Sequence, residues 1–308
     1  RRPPRSTLFL YTTLFRSLFE DLIEKKTLLA GDELHHDWWL RKERDIHNEI
    51  VPFASTIKIS QRIERLKRNL FPRYFYPPKG YGRIPEIILR KYEMLGGKTL
   101  LNCGPIELEK NGNRICRARV DGIWYKVKNV IWTGSINSLN QIMQADLPKL
   151  PYVKMIIACL TFEKKEYKPR PYLYTYHPDP DIIFNRMYYT ANIYKNLHAD
   201  REGLCFELNI TDKIENLSED RIVKKILEGV EKLGFYKSEA LRCKRLFYLK
   251  NSLPVYNLNY KDELKAVYSE VSKINNLFAV GRTGGYFFCL SPSAINQGLK
   301  ISKYLLDR

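Results

Sequence analysis

The sequence contains no apolar run approaching the roughly 20 residues that a membrane-crossing helix requires. Stretches such as Val153–Leu160 are far shorter, so no spanning helix is expected. Any C-x-x-C pair is also missing. The six cysteines, Cys103, Cys116, Cys159, Cys205, Cys243 and Cys289, are scattered. Most sit inside apolar runs, where they read as small core residues of a chain kept in a reducing cytoplasm rather than as zinc ligands. There is no internal repeat. A phosphate-binding P-loop is absent too: Gly97-Lys98-Thr99 has the right ending, but Tyr92 stands where the pattern needs glycine, and the order is helix then strand.

What is present suffices for an enzyme. At 308 residues, the chain is long enough for one large domain or two ordinary ones. Its 44% apolar and 28% charged residues are near globular values, so the chain is expected to fold. Lys and Arg number 52 against 34 Asp and Glu, a net charge of +18 that raises the question of a polyanionic partner. The excess is spread out, and clusters such as Arg62–Arg68 (RIERLKR) have the spacing of a solvated helix face. With no recognised binding module beside it, no nucleic-acid partner is expected. The first 17 residues, RRPPRSTLFLYTTLFRS, contain no acidic residue and do not continue the pattern that follows. They read as translated sequencing-adapter sequence, which would leave the native N-terminus missing.

Between residues 18 and 76 the apolar spacing (Leu18, Leu22; Ile57, Ile63, Leu66, Leu70) predicts helices. His35-His36-Asp37 lies here, but adjacent histidines on a helix point apart and no third ligand follows at helical spacing, so no metal site is expected. Residues 77–140 read as a glycine-bearing loop, a helix from Ile84 to Leu95 stopped by Gly96-Gly97, and a run of strands. These are Thr99–Cys103, Ile106–Glu109, Ile115–Val120, Ile123–Val127 and Val130–Thr133, with turns at Asn111-Gly112 and Asp121-Gly122. Residues 141–270 carry β-rich runs at Val153–Phe162, Tyr172–Tyr176, Ile183–Tyr189, Leu204–Ile210 and Ala240–Tyr248, with one helix at Glu219–Leu233. Residues 271–308 read as a short buried strand, Leu277–Val280, a glycine turn, Gly281–Gly285, and a helix. That helix opens with Ser291 as N-cap and Pro292 as its first residue, with Ile295, Gly298, Leu299, Ser302 and Leu306 on one face.

Two of these segments resemble a known superfamily. Strand, Gly281-Arg282-Thr283-Gly284, aromatics and helix resemble the C-terminal flavin-contacting segment of the FAD-dependent superfamily containing amine oxidases, protoporphyrinogen oxidases and UDP-galactopyranose mutases. Residues 76–140, with Tyr-Pro-x-x-Gly-x-Gly, a helix, Gly-Gly and strands, resemble its internal segment. The resemblance implies an α/β (α+β) fold: an incomplete FAD-binding Rossmann-like domain (77–140 and 271–308) with an inserted mixed-sheet substrate domain (141–270) and helices. It implies FAD as cofactor, approached by Gly281, Arg282, Gly284 and Gly285. The isoalloxazine would lie near Ser293 and Ala294, the adenine opposite Pro105 and Ile106, and Thr133 and Gly134 where the meander returns to the cofactor. The physics agrees: glycines permit close backbone approach, and a helix N-terminus stabilises negative charge on a reduced flavin. The family's G-x-G-x-x-G anchor does not occur, so its strand, loop and helix are expected to lie beyond the adapter-like start.

Segment 178–210 is similar to the sugar-nucleotide mutase branch, which implies Arg186 and Arg282 as ligands of a substrate diphosphate. Forked guanidiniums suit that group, although pairing of both arginines within the protein is an equal alternative. Leu253 and Phe288 stand where that branch has tyrosines that reach the substrate. The preferred expectation is therefore a general FAD-dependent oxidoreductase acting on a small-molecule substrate, in which the flavin accepts a hydride. A mutase acting on a nucleotide sugar is the alternative. No acid, base or oligomeric state follows from the sequence.

Overall fold

The computed structural model describes residues 20–40, 77, 80–163, 172–193 and 200–307. The adapter-like stretch 1–17 and the helix expected over 57–70, with its basic cluster, lie outside the described residues. In chain order the strands are β1 (Glu107–Asn111), β2 (Arg114–Val120), β3 (Ile123–Lys126), β4 (Val130–Trp132), β5 (Tyr152–Glu163), β6 (Tyr174–Tyr176), β7 (Arg186–Tyr189), β8 (Arg201–Asn209), β9 (Leu241–Pro254) and β10 (Leu277–Ala279). The longer helices are α1 (20–27), α2 (Arg83–Met94), α3 (Ile136–Ile142), α4 (Glu219–Lys232), α5 (Tyr260–Val271) and α6 (Ser291–Leu306). Helices and sheets are thus mixed, as an α+β reading requires.

The chain divides into two compact units. The sheet unit takes the described residues among 1–34, 78–80 and 152–252. Its five strands run β6-β7-β8-β5-β9. Alternation explains its layering: Ile156, Ala158, Leu160 and Phe162 of β5 and Leu204, Phe206 and Leu208 of β8 fall on one face, and α4 covers them with Ile222, Val223, Ile226 and Val230. Gly229 is required in that contact, because a Cβ there would come within 3.0 Å of the Phe184 ring. Helix α4 starts where Ser218 accepts from Arg221 N, and its first turn carries Glu219 and Asp220, both favourable at a helix N-terminus.

The meander unit takes the described residues among 35–77, 81–151 and 253–308. Strands β1, β2 and β3 form an antiparallel meander. Its second turn, Asp121-Gly122, has both residues at positive φ (49° and 79°), the tight hairpin geometry that this dipeptide favours. Strand β10 then pairs in parallel with β4, in the register Leu277↔Val130, Phe278↔Ile131 and Ala279↔Trp132. Asn276, 1% exposed, fastens this junction to the meander. Its side chain accepts from Ile115 N (2.9 Å) and donates to the carbonyls of Ile115 (2.8 Å) and Lys128 (3.0 Å).

Several expectations are corrected. No strand forms over 99–103, because Asn102 takes a left-handed conformation (φ 57°) that breaks the extended run. Gly281–Gly284 is one helical turn rather than an open turn. Helix α6 is capped by Leu290, and Ser291 is already helical. Ile295, Leu299 and Leu306 are exposed, whereas Gln297 and Ile301 are buried and Phe278, Val280, Tyr304 and Leu305 cluster around Ile301. Helix α5 is not in the sequence reading at all.

Candidate functional site

In the meander unit, the β4–β10 pair brings residues 130–134 against 276–285. Val280 N donates to Trp132 O (2.9 Å), and Thr283 Oγ1 donates to Thr133 O (2.7 Å). Gly284 is buried at the closest approach: a Cβ there would overlap the Trp132 carbonyl oxygen and lie 3.0 Å from Thr133 Cα. A Cβ at Gly285 would meet Gly281 O at 2.9 Å. These two glycines are therefore required by contact between backbone segments of this wall. Gly281 answers a different need, its φ of +79°, and its N–H donates to Gln297 Oε1 (2.7 Å), which ties the turn to α6.

Arg282 is committed within the chain: Nε and Nη2 donate to the Cys289 carbonyl at 3.0 and 2.6 Å, closing the loop that carries Tyr286, Phe287 and Phe288. Phe288 is 6% exposed and stacks on Trp38, with ring centroids 5.2 Å apart. Tyr286, fully buried, holds a left-handed backbone (φ 45°), a strained conformation for an aromatic residue. Its hydroxyl oxygen lies 2.8 Å from Pro151 O and 2.5 Å from Val255 O, which fixes the loop.

At the N-terminus of α6, Leu290 and Ser291 are exposed, Pro292 has no N–H, and the N–H groups of Ser293 and Ala294 both donate to Leu290 O. What this end offers a ligand is the positive end of a 16-residue helix more than free donors. Pro105 and Ile106, also exposed, precede β1 beside the Asp121-Gly122 turn, where Asp121 accepts from Gly104 N (2.6 Å). They lie at the far end of the β2–β3 hairpin from the link into β4.

In the sheet unit, the side of the sheet away from α4 carries a polar cluster. Arg186 on β7 forms a forked pair with Glu207 on β8: Nε donates to Oε2 at 2.9 Å and Nη2 donates to Oε1. Tyr188 donates to the same carboxylate at 2.8 Å. The guanidinium sits over the rings of Tyr174, Tyr176 and Tyr188, 4.8–5.6 Å from their centroids. Burial opposes charge on Arg186, but the Glu207 hydrogen bond and charge outweigh it and hold the guanidinium above its ordinary value. Burial, then the Glu207 charge, push the Tyr188 phenol well up. The sequence reading singled out Arg186 but missed Glu207. The available signal was one acid inside the apolar strand FELNI, which needs a cationic partner.

Elsewhere in this unit, Lys25 Nζ donates to the carbonyls of His177 (2.9 Å), Asp179 (2.7 Å) and Ile182. Burial lowers its pKa to about 8, with Asp179 acting in opposition. His177 is pushed down to about 4, first by burial and then by the Lys25 charge.

His35 and His36 precede the helical turn Asp37–Leu40 rather than lying on a helix, so their rings stack at 4.2 Å and their nitrogens approach the Asp37 carboxylate. That carboxylate already meets Lys261 Nζ (3.0 Å) and Tyr260 Oη (2.9 Å), and His35 Nδ1 accepts Asp37 N–H (3.1 Å). The cluster is thus accounted for by contacts within the protein.

No family model and no curated protein matches the chain. Solved structures do. A reduced UDP-galactopyranose mutase aligns with 98% of this chain and 67% of its own, at 14% identity and a TM-score of 0.70. Putrescine oxidase bound to putrescine aligns with 100% and 77%, at 13% and 0.52. An oxidoreductase from Methanosarcina mazei aligns with 99% and 72%, at 12% and 0.52. The chain therefore spans about two thirds to three quarters of these proteins. At such identities the likeness shows a shared fold and nothing beyond it.

Proposed function

We propose that this protein is an FAD-dependent oxidoreductase, in which the meander unit contributes part of a Rossmann-like dinucleotide-binding layer and the sheet unit contributes the substrate-binding face. The parallel β4–β10 junction carries the reading, because it joins the two stretches whose motifs resemble the flavin-contacting segments. The residues fit the cofactor. Residues 104–106, 133 and 134 are exposed, as are Leu290 and Ser291 at the start of α6, so these surfaces are accessible. Pro105, Ile106, Thr133, Gly134 and Gly281 would hold it, with Ser293 and Ala294 at the positive end of α6, while the buried Gly284 and Gly285 let the wall behind them close. FAD, when bound, supplies the two-electron acceptor. Gln297 and Arg282 position the loop that approaches it, and the Arg186–Glu207 pair keeps a fixed charge on a tyrosine-lined substrate face.

A second reading, a mutase acting on a nucleotide sugar, is favoured by the TM-score of 0.70. Against it, a diphosphate would have to displace Glu207 from Arg186 and the Cys289 carbonyl from Arg282, and Phe288 is buried against Trp38. Equilibration of the purified full-length protein with FAD, followed by gel filtration, tests the shared premise. The expected result is co-eluting flavin absorbance at one per chain, and protein free of flavin overturns it. Substrate oxidation matched by acceptor reduction then supports the oxidoreductase, whereas isomerisation by the reduced protein without net redox change supports the mutase.

A further inference from the structure

The sequence reading treated the cysteines as scattered core residues, yet the register of the five-stranded sheet sets two of them opposite each other. Cys159 on β5 and Cys205 on β8 are Cα partners, and their sulfurs lie 3.8 Å apart. Ile210 N donates to Lys154 O (2.8 Å), so in this register the Lys154/Ile210 pair is a hydrogen-bonded one. Pair types alternate along an antiparallel ladder, and Cys159/Cys205 is five positions on. It is therefore a non-hydrogen-bonded pair, the kind whose Cα atoms come to about 4.5 Å, inside the range a disulfide spans. Both side chains are half-buried on the side of the sheet away from α4, whereas their neighbours Ala158, Leu160, Leu204 and Phe206 fill the core.

We propose that Cys159 and Cys205 form a thiol pair that a hydroperoxide converts to a cross-strand disulfide. The Cys159 thiolate attacks the terminal peroxide oxygen, the O–O bond breaks, and alkoxide, or hydroxide when the oxidant is hydrogen peroxide, leaves to take up a proton. The Cys205 sulfur then attacks the resulting sulfenic acid, the S–O bond breaks, and water departs with the Cys205 proton. Two thiols lose two electrons, and one hydroperoxide becomes water and an alcohol, or two waters for hydrogen peroxide. The surroundings divide the two roles. The contact with Cys205 outweighs burial and, with the charge of Arg245 on β9, draws the Cys159 thiol down. The Cys159 contact, burial and the Glu207 charge push Cys205 up, against the pull of Arg186. The cationic neighbour Arg245 beside Cys159 and the anionic Glu207 beside Cys205 make Cys159 the attacking sulfur and Cys205 the resolving one. Cys205 also faces Tyr188 across β7, and the neighbouring pair on the same face is Arg186 with Glu207. The bridge would accordingly form beside the polar cluster.

The test treats the whole chain with hydrogen peroxide, quenches with catalase, alkylates the remaining thiols in denaturant and maps the peptides without reduction. The expected result is a loss of two of the six thiols, a linked peptide pair holding Cys159 and Cys205, and reversal by dithiothreitol. The rate should climb with pH as the Cys159 thiol ionises, and should do so below the range of an ordinary thiol. C205S should stop at a dimedone-reactive sulfenic acid on Cys159, and C159S should form no bridge. Persistence of both thiols while other cysteines oxidise, or a bridge that forms only after unfolding in urea, overturns the proposal without reference to any variant.

Discussion

Asn276→Ala tests how the meander is fastened to β10. The substitution strips Ile115 N of its acceptor and the Ile115 and Lys128 carbonyls of their donor. Ile115 is 0% exposed, so water cannot replace the lost partner without opening the structure. Two fully buried backbone groups left unpaired cost about 1–3 kcal/mol each, and the partly buried Lys128 carbonyl adds less, so a loss of about 3–5 kcal/mol is expected. That is a large share of the roughly 5–15 kcal/mol that holds a typical domain together. Urea unfolding reads the total, and hydrogen exchange localises it. Amides of Ile115, Val130 and Val280 should lose protection while the β5–β8 ladder keeps its own. Asn276→Asp, which sets a buried carboxylate against the Ile115 and Lys128 carbonyls, should cost at least as much as the alanine. A midpoint within about 0.5 kcal/mol of the parent would refute the reasoning, because buried backbone groups would then have found partners elsewhere.

Glu207→Gln leaves the Arg186 charge partly buried without its counter-charge and should destabilise the chain by about 3 kcal/mol. Thermal unfolding measures this, and Arg186→Lys should be poorly tolerated as well, because a lysine cannot reproduce the fork. Gly284→Ala should cost about 1–3 kcal/mol, because its Cβ has no room beside Trp132 and Thr133. Gly298→Ala on α6 meets nothing within 4 Å and should be neutral or stabilising by up to about 1 kcal/mol. Equal effects at the two glycines in chemical denaturation would contradict the packing described. His177, at about 4 in the folded chain, lies below its ordinary 6.5. The unfolded chain therefore binds the extra proton first, and stability should decline as pH falls from about 6.5 toward 4. His177→Gln should flatten that decline, and an unchanged slope would exclude His177 as its source.

The strands were legible where local chemistry dictates them. Asp121-Gly122 can hardly avoid a hairpin, and the alternating apolar residues of β5 and β8 announce one buried face. Helix α5 was missed although Tyr260, Leu264, Val267, Tyr268 and Val271 have helical spacing and are buried. Its tyrosines and its β-rich neighbours masked the period. The face of α6 was misread for a different reason: its packing is set by Gln297 reaching Gly281, a polar anchor that no apolar count reveals. Likewise Arg186 stood out as a residue type, but its partner Glu207 is 21 positions away and becomes visible only when β7 meets β8. Tertiary pairing, which no window of sequence contains, separates the candidate from its context.

The bond between Asn276 and Ile115 spans 161 positions, and the whole continuous 152–252 stretch of the sheet unit lies between them. On the ribosome, then, the meander emerges early and has to wait. The inserted stretch can collapse as soon as it is synthesised, and once compact it shortens the effective loop whose ends must meet. Because residues 276–285 arrive after that stretch, assembly of the wall waits on its synthesis.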